Sequence, residues 1–482
     1  MTAEHVDALV VGAGLSGIGA ACRLHRDRPG STLAILESRD AMGGTWDLFR
    51  YPGIRSDSDM FTLGFSFQPW EDPKAIADGP SIRRYIETTA RSGGVAELVR
   101  YGSTVESASW SSAEARWTVR ARRGGDLVEL TCGFLYLCTG YYRYSAGHTP
   151  AFEGVEDFEG TVVHPQRWPS ELDVTGRKVV VIGSGATAVT LVPALASTAE
   201  HVTMLQRTPT YIVSLPSSDP LADRLRARLP AQRAYDVIRW KNVLMTMASY
   251  QLSRRAPRVM KGLVRRGLLQ HLPPDYDVET HFTPPYDPWD QRLCVVPDGD
   301  LFAAVRSGSA SIVTDRIERF TPKGVLLRSG DELPADVVVT ATGLQVQVLG
   351  GAQLSVDGRV VDAADTVGYK GMMFSGIPNL AMALGYTNAS WTLKCDLIAE
   401  YVVRLLDHMD RCGYRSVTPV EPPASVPRQP FIDLTSGYIQ RALAQMPAQG
   451  GRAPWRVHQN WLLDRRLYRR SPLEDEGVVF GR

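Results

Sequence analysis

Two short apolar runs, each ending in a glycine-rich turn, constrain the fold of this chain more than any other feature. Val6 to Val11 leads into Gly12-Ala-Gly14-Leu-Ser-Gly17 and then a helical pattern to about Arg26. Val179 to Ile182 leads into Gly183-Ser-Gly185-Ala-Thr-Ala188, with alanine in place of the third glycine. Glycines at these spacings let the backbone turn tightly, approach a pyrophosphate and pack a helix against a strand. The pattern predicts an α/β fold with two Rossmann-like dinucleotide-binding domains.

The charged residue after the next strand of each unit indicates which nucleotide it binds. Leu33-Ala-Ile-Leu-Glu37 ends in a carboxylate that can accept hydrogen bonds from ribose hydroxyls. In the second unit, Val202 to Leu205 is followed by Gln206-Arg207-Thr208. A ribose 2′-phosphate is repelled by a carboxylate but matches the guanidinium fork of arginine. We therefore expect NADPH rather than NADH in the second unit, unless Arg207 is only a solvated strand end.

The composition excludes several classes of function. The chain has 482 residues, 44% of them apolar and 22% charged, with a net charge of +1, which is ordinary for a soluble multidomain protein and argues against a nucleic-acid partner. Its six cysteines show no C-x-x-C spacing, so we expect neither a metal site nor a disulfide framework. No signal peptide and no apolar run of membrane-spanning length is visible, which predicts a cytoplasmic protein.

The segment that joins the two units carries a further pattern. Phe158, Gly160, His164, Trp168 and Pro169 lie at spacings that resemble the fingerprint of Baeyer–Villiger monooxygenases. Because this segment connects two nucleotide-binding units, we expect its histidine and tryptophan to control the alignment of the domains more than bond making.

A second signature of the same family is similar to Gly43-Gly44-Thr45-Trp46, followed by Tyr51-Pro-Gly53 and Asp57. Disulfide reductases carry a redox-active cysteine pair in this region, whereas this chain has no cysteine between Cys22 and Cys132. A flavin bound here could not pass its electrons to a dithiol, which leaves molecular oxygen as the obvious acceptor.

The resemblance implies FAD in the first unit, NADPH in the second and O2 as co-substrate. It implies conversion of a hydrophobic ketone to an ester or lactone through a peroxide at C4a of the flavin, and oxygenation of sulfur in thioethers and thioamides. The cofactors would carry out the chemistry, while the protein binds, orients and excludes water. Two alternatives stay open: an S- or N-oxygenase without Baeyer–Villiger activity, and a non-catalytic redox sensor that binds dinucleotides.

By the same resemblance, catalysis depends on Arg292 with Asp57 as its carboxylate partner. A fixed positive charge in a dry site stabilises negative charge that develops during the reaction, and arginine stays charged when partly buried. Gln291 stands where family members have a lysine that helps to bind the 2′-phosphate, so the NADPH preference rests more heavily on Arg207. The alternative interpretation is structural, with Arg292 on the surface and Asp57 capping a turn.

The residues predicted to contact cofactors come from the two turns, the strand ends after them and the second signature. For FAD they are Gly12, Gly14, Leu15, Ser16, Gly17, Glu37, Gly44, Thr45, Trp46, Arg55, Asp57 and Val105. For NADPH they are Gly183, Ser184, Gly185, Ala186, Thr187, Arg207 and Thr208. The role of Val105, whose backbone would hold the adenine end of FAD, is implied by the resemblance alone.

These assignments predict a discontinuous FAD-binding domain over residues 1–145 and 335–482, an NADPH-binding domain over 150–218 and 283–334, and a helical insertion over 219–282. The run Asp336–Ala341 ends in an A-T-G turn, which indicates a buried strand where the chain returns to the FAD domain. A helix is predicted from about Thr392 to Met409, and the family architecture implies that its N-terminus faces the flavin.

The insertion is strongly basic. Between Asp219 and Leu272 there are twelve Lys or Arg residues and three Asp or Glu residues. Such a segment is either a set of solvated helices or a surface that rests on anionic lipid as a peripheral membrane contact. Both interpretations stay open on the sequence.

Overall fold

The computed structural model describes residues 4–482. Over that range the helices are α1 (Leu15–Asp27), α2 (Thr45–Leu48), α3 (Met60–Leu63), α4 (Gly79–Ser92), α5 (Ala186–Leu195), α6 (Pro220–Arg226), α7 (Ala231–Arg255), α8 (Pro257–His271), α9 (Val278–Phe282), α10 (Asp300–Arg306), α11 (Trp391–Cys412), α12 (Gly437–Ala442) and α13 (Trp461–Arg470). The strands are β1 (Glu4–Val11), β2 (Leu33–Leu36), β3 (Val99–Arg100), β4 (Ser103–Ser111), β5 (Arg116–Arg123), β6 (Asp126–Leu137), β7 (Thr161–Val163), β8 (Lys178–Ile182), β9 (His201–Gln206), β10 (Ile212–Leu215), β11 (Cys294–Pro297), β12 (Ala310–Thr314), β13 (Ile317–Thr321), β14 (Gly324–Leu327), β15 (Glu332–Pro334), β16 (Val337–Thr340), β17 (Gln353–Val356), β18 (Arg359–Val360), β19 (Gly368–Tyr369), β20 (Met373–Phe374), β21 (Leu380–Met382), β22 (Ser416–Pro419), β23 (Arg428–Pro430), β24 (Ala448–Gly450) and β25 (Val478–Gly481).

The first glycine-rich turn belongs to a nine-stranded mixed sheet. Its strands run in the order β18-β17-β4-β5-β6-β1-β2-β3, and β21 adds to β6. β1 and β2 are parallel and are joined through α1, which is the predicted strand–turn–helix–strand unit. Strands β17, β18 and β21 come from much later in the chain, so the sequence leaves this sheet and returns to it.

The second glycine-rich turn belongs to a separate sheet of five parallel strands in the order β12-β9-β8-β16-β7. The run Asp336–Ala341 forms β16, and its Val337 pairs with Val179 of β8. The strand expected to return to the first sheet therefore lies in the second, and the boundary expected at residue 335 is wrong by at least this strand. The apolar run itself could not reveal its partner, because a buried parallel strand reads alike in either sheet.

The insertion is helical, as expected, and is attached to both units. Helices α6 to α9 lie between β10 and β11, and α7 packs on α3 while α8 packs on β10. On the buried side of α7, Arg239 forms an ion pair with Asp396 of α11 at 3.1 Å and donates to the carbonyls of Phe61 and Gly64. None of the helices over residues 4–482 is both long and apolar enough to cross a membrane.

Close packing fixes the first glycine-rich turn. A Cβ atom at position 17 would lie 1.8 Å from the carbonyl oxygen of Gly12, on the backbone that enters the turn. No side chain fits between α1 and this strand end, so glycine is required there for packing.

We predict that Gly17→Ala lowers the free energy of unfolding by about 1–3 kcal/mol, the usual cost of overpacking a buried contact. Urea denaturation followed by circular dichroism measures the change. Gly30→Ala is the matched control, because a Cβ atom at that glycine would meet nothing within 4 Å. Equal stability of the two variants would show that the turn adjusts easily and that the contact does not constrain it.

Candidate functional site

Both glycine-rich turns open on one large cleft between the two sheets. The cleft has a volume of about 860 Å³, and its walls include Gly14 and Ser16 from the first turn and Gly183 and Gly185 from the second. A volume near the upper end of the usual range for small-molecule sites suits a large ligand. The two nucleotide-binding units therefore share a single site.

The first turn is built as a cradle of backbone groups. Helix α1 begins after Gly14 without a side-chain cap, which leaves its first N–H groups available to an anion. Glu37 is buried at the end of β2, and its two carboxylate oxygens accept from the N–H groups of Ala13 at 2.7 Å and Arg39 at 2.9 Å. A Cβ atom at Gly44 would lie 3.0 Å from the Cα of Gly14, so the paired glycines complete a wall that only backbone can form.

The second turn has the same character and shows where a ligand fits. Helix α5 begins after Gly185, again without a side-chain cap. A Cβ atom added to Gly185 would meet no protein atom within 4 Å, although one at Gly183 would lie 2.4 Å from the carbonyl of Ala341. The space beside Gly185 thus belongs to the cleft, as a pyrophosphate at this helix N-terminus requires. The hydroxyl of Ser184 is already engaged, because it donates to the carbonyl of Thr208 at 3.1 Å.

Arg207 lies just beyond β9, exposed on the wall of the cleft. No carboxylate from residues 4–482 forms an ion pair with it. An arginine in this position on the second unit is free to meet a phosphate, whereas the corresponding position of the first unit holds the buried Glu37.

The predicted catalytic pair is formed across the two units. Nη2 of Arg292 lies 2.9 Å from Oδ2 of Asp57, and both residues line the cleft. The Arg292 side chain is 35% exposed and lines the cleft. Asp57 raises the pKa of Arg292 above its ordinary value, which outweighs the opposite effect of burial. A permanent cation is therefore held where the two turns meet.

Three tyrosines that the sequence did not single out surround this cation. The hydroxyls of Tyr141 and Tyr142 are 2.8 Å apart, and Tyr438 lies against Tyr142 with a ring separation of 6.4 Å. Burial raises the pKa of all three, so their hydroxyls stay neutral beside Arg292. The pair Tyr141-Tyr142 directly follows the Cys138-Thr-Gly140 turn, which is the one sequence signal that could have located it.

The second signature links the two units. Phe49 and Tyr51 are buried in the core of the second unit although they follow the first turn. A Cβ atom at Gly53 would lie 2.8 Å from the Cβ of Ala194 in α5. Arg55 pairs with Asp300 at the start of α10, with Nη2 to Oδ1 at 3.3 Å. The expected cofactor contact of Arg55 therefore competes with an ion pair to the protein. This strap, residues 49–57, sets where Asp57 lies.

The fingerprint segment, Phe158 to Pro169, contacts the turn that follows β16 in the second sheet. Nδ1 of His164 accepts from the N–H of Gln166 at 3.2 Å, so its Nε2–H donates to the carbonyl of Gly343 at 3.3 Å. Burial lowers the pKa of His164, which keeps the ring neutral. A Cβ atom at Gly160 would lie 2.5 Å from the carbonyl of Asp336. These contacts support alignment and leave the reacting atoms to other residues.

Of the residues predicted to contact cofactors or to act in catalysis, all but Gly17 and Thr208 line the cleft. Gly17 acts in packing, and Thr208 holds Ser184 through its carbonyl. The predicted helix from about Thr392 is α11, and Trp391 at its first position lines the cleft and donates from Nε1 to the hydroxyl of Ser16 at 2.7 Å. Contact of these residues with cofactors stays a prediction.

Comparison with known families decides the class of protein. The profile of the flavin-binding monooxygenase-like family matches residues 72–348, and the NAD(P)-binding Rossmann-like domain matches residues 10–72. The chain belongs to the flavin-binding monooxygenase-like family. The expected classes of cofactor, a flavin and NAD(P), are confirmed by these two family descriptions.

Similar full-length proteins agree with this assignment. The monooxygenase is 54% identical over 480 residues to the FAD-containing monooxygenase EthA of Mycobacterium tuberculosis, a match that covers 99% of this chain and 98% of EthA. It is 50% identical over 483 residues to the putative FAD-containing monooxygenase MymA of the same species, covering 99% and 97% of the two chains.

Solved structures share the fold. The structure of an oxidized steroid monooxygenase bound to NADP superposes with a TM-score of 0.77 at 21% identity, and the match covers 99% of both chains. OTEMO in complex with FAD and NADP superposes with a TM-score of 0.71 at 23% identity, covering 86% of this chain and 88% of that one. The predicted α/β fold with two Rossmann-like units is confirmed.

We predict that Gly185→Val weakens NADP⁺ binding at least 10-fold while the protein folds normally and retains its flavin. The added side chain would enter the cleft rather than the protein interior, where a pyrophosphate would approach the backbone. Isothermal titration with NADP⁺ measures the affinity. Gly30→Val is the control, since a Cβ atom at that glycine also meets nothing within 4 Å, its backbone is outside the left-handed region and it does not line the cleft. Normal NADP⁺ affinity in Gly185→Val would place the dinucleotide elsewhere.

Proposed function

We propose that this protein is a Baeyer–Villiger monooxygenase that binds FAD at the first turn and NADPH at the second. Its substrates are hydrophobic ketones, which it converts to esters or lactones, and sulfur compounds, which it oxygenates. The observation that carries the proposal is the Arg292–Asp57 pair at 2.9 Å in the one cleft that both turns line. A dinucleotide-binding protein without catalysis has no need of a cation held at that junction.

The chain supplies binding, orientation and electrostatics. FAD and NADPH, when bound, supply hydride transfer and the activation of oxygen. Backbone N–H groups at the starts of α1 and α5 would hold the two pyrophosphates, Glu37 would bind the ribose of FAD and Arg207 would bind the 2′-phosphate of NADPH. Trp391 and Tyr141, stacked with ring centroids 5.2 Å apart, form part of the wall of the cleft.

Arg292 stabilises negative charge in the reaction. Attack on a ketone places an oxyanion on the substrate, and a guanidinium donates hydrogen bonds to that oxygen without giving up a proton. A cation enclosed by apolar and aromatic groups is costly unless it is paired, and Asp57 is the residue that pairs it. The neutral tyrosines add no competing charge, so the positive potential stays directed into the cleft.

The named relatives support the same chemistry. EthA and MymA are described as FAD-containing monooxygenases, and the structural neighbours include steroid monooxygenase and cyclohexanone monooxygenase. OTEMO, one of these neighbours, was solved in complex with FAD and NADP. Their likeness in fold, together with the pairing of Arg292 with Asp57 in this chain's own cleft, favours the Baeyer–Villiger reaction over sulfur or nitrogen oxygenation alone.

Product analysis tests the proposal. The FAD-loaded enzyme, given NADPH and a panel of linear, cyclic and aromatic ketones and thioethers, should consume one NADPH per molecule of ester, lactone or sulfoxide formed. Sulfoxides without any ester would support the alternative S-oxygenase. Substrate-independent NADPH consumption, or none, would support a redox sensor and contradict catalysis.

We predict that Arg292→Ala reduces the rate of ester formation by about 10²–10³-fold, the usual effect of losing one group that stabilises a developing oxyanion. The variant should keep FAD and still be reduced by NADPH, and it should release hydrogen peroxide. Peroxide and product assays on the same reaction measure the two outputs. Arg292→Lys, which keeps the positive charge but not the forked guanidinium, should form ester at a rate between those of Arg292→Ala and the unmodified enzyme. Ester yield near that of the unmodified enzyme in Arg292→Ala would refute this role.

We predict that Arg207→Ala weakens NADPH binding about 10- to 100-fold, the value of one charge-assisted contact, and leaves NADH binding unchanged. Steady-state KM values for the two coenzymes give the comparison. Arg177→Ala is the control, since Arg177 is an exposed arginine that does not line the cleft. An equal loss for both coenzymes would mean that Arg207 does not recognise the 2′-phosphate.

A further inference from the structure

Helix α7 exposes large apolar side chains along most of its length. Val237, Trp240, Leu244 and Leu252 recur at spacings of three, four and eight residues, which places them on one side of the helix. Met245 lies at the edge of this stripe and is 63% exposed, the highest value for a large apolar side chain on the helix. A soluble surface rarely gathers so many exposed apolar groups without a partner.

Helix α8 follows α7 after a single connecting residue and also exposes apolar side chains. Its exposed apolar side chains are Val259, Leu263 and Leu269, while Met260, Val264 and Leu268 are buried. We call the exposed apolar residues of α7 and α8 together the apolar face. The buried residues of both helices pack inward, so this face is the outer surface of the insertion.

Positive charge accompanies the apolar face. Six of the twelve basic residues between Asp219 and Leu272 form ion pairs within the protein, such as Lys241 with Asp219. Among the others, the exposed residues Arg233, Arg255, Arg258 and Arg266 have no carboxylate partner in the part of the chain that the structure describes. Arg233 and Arg255 lie at the two ends of the α7 stripe, and the remaining two lie on α8.

We propose that the apolar face binds the surface of an anionic lipid bilayer. A bilayer interface offers apolar depth to the leucines, a headgroup layer to Trp240 and negative charge to the arginines. A second copy of the chain docked symmetrically on this face would set its unpaired arginines against one another, which is repulsive. The helices would lie flat on the bilayer, since none can span it.

The position of α7 gives the contact a consequence for the cleft. Val243 and Met247, on its inner side, line a small cavity together with Tyr386 and Ala389. Tyr386 and Ala389 also line the large cleft. One helix therefore separates the proposed lipid-binding surface from the wall of the cleft, and docking would bring the cleft close to the apolar phase.

Vesicle flotation of the FAD-loaded protein tests the proposal. We expect it to float with phosphatidylcholine vesicles that contain phosphatidylglycerol at low salt, and to do so much less with pure phosphatidylcholine or at high salt. Each arginine near an anionic surface changes the partition coefficient about 5-fold, so R255Q/R258Q should bind about 25-fold more weakly. L244S/M245S should also lose binding, because both side chains point outward and their replacement leaves the core intact.

The control is R359Q/V360S, which makes the same kinds of change at an exposed arginine and an exposed valine on the edge strand β18. It should bind as the unmodified protein does. Visible absorbance of the flavin confirms that each variant is folded. Failure to float on anionic vesicles at low salt, or equal binding by all variants, would overturn the proposal. So would sedimentation showing a dimer that L244S/M245S dissociates without any lipid binding, since a second copy would then cover the face.

Discussion

The ion pair between Arg292 and Asp57 is the interaction on which the rest of the site depends. Its two members come from segments more than 200 residues apart, one attached to the second nucleotide-binding unit and the other to the strap that follows the first turn. A cation that is partly buried is costly unless a carboxylate pairs with it, and Asp57 is that carboxylate. The position of the charge is therefore correct only when the two units are correctly placed, which makes alignment of the units a condition of the proposed chemistry.

The two sequence signatures supply that alignment. Residues of the strap, such as Tyr51, enter the core of the second unit, and the Arg55–Asp300 pair fixes its far end. The fingerprint acts from the other side, where His164 holds the turn at Gly343. The strap and the fingerprint thus pack or join backbone, while Arg292 and Asp57 bring opposite charges together in the cleft. The two signatures therefore fix the relative position of the two units. The proposed chemistry depends on that position because it determines where the charge of Arg292 lies.

The sequence predicted the features that depend on local chain geometry. Glycine spacing, the carboxylate at Glu37 and the cation at Arg207 each follow from one strand–turn–helix unit, and the structure places all of them on the cleft. Features that depend on distant pairing were missed. The sequence of β16 does not indicate which sheet it joins. Tyr438 lies almost 300 residues after Tyr142 in the chain, so its position beside that residue could not be predicted. The sequence interpretation of the insertion depended on its charge and did not predict which side of α7 is buried. Helix α7 buries Arg239 and exposes leucines, because the ion pair with Asp396 stabilises an arginine that points inward.

Oxygen labelling tests the central claim most directly. When the enzyme turns over a ketone with NADPH under ¹⁸O2, the account predicts an ester or lactone that carries one ¹⁸O atom, with the ketone oxygen retained as ¹⁶O. The label enters the product only if an oxygen atom of O2 is transferred to the substrate. Unlabelled product, or consumption of NADPH and ¹⁸O2 that yields labelled hydrogen peroxide alone with every ketone and thioether, would contradict the account.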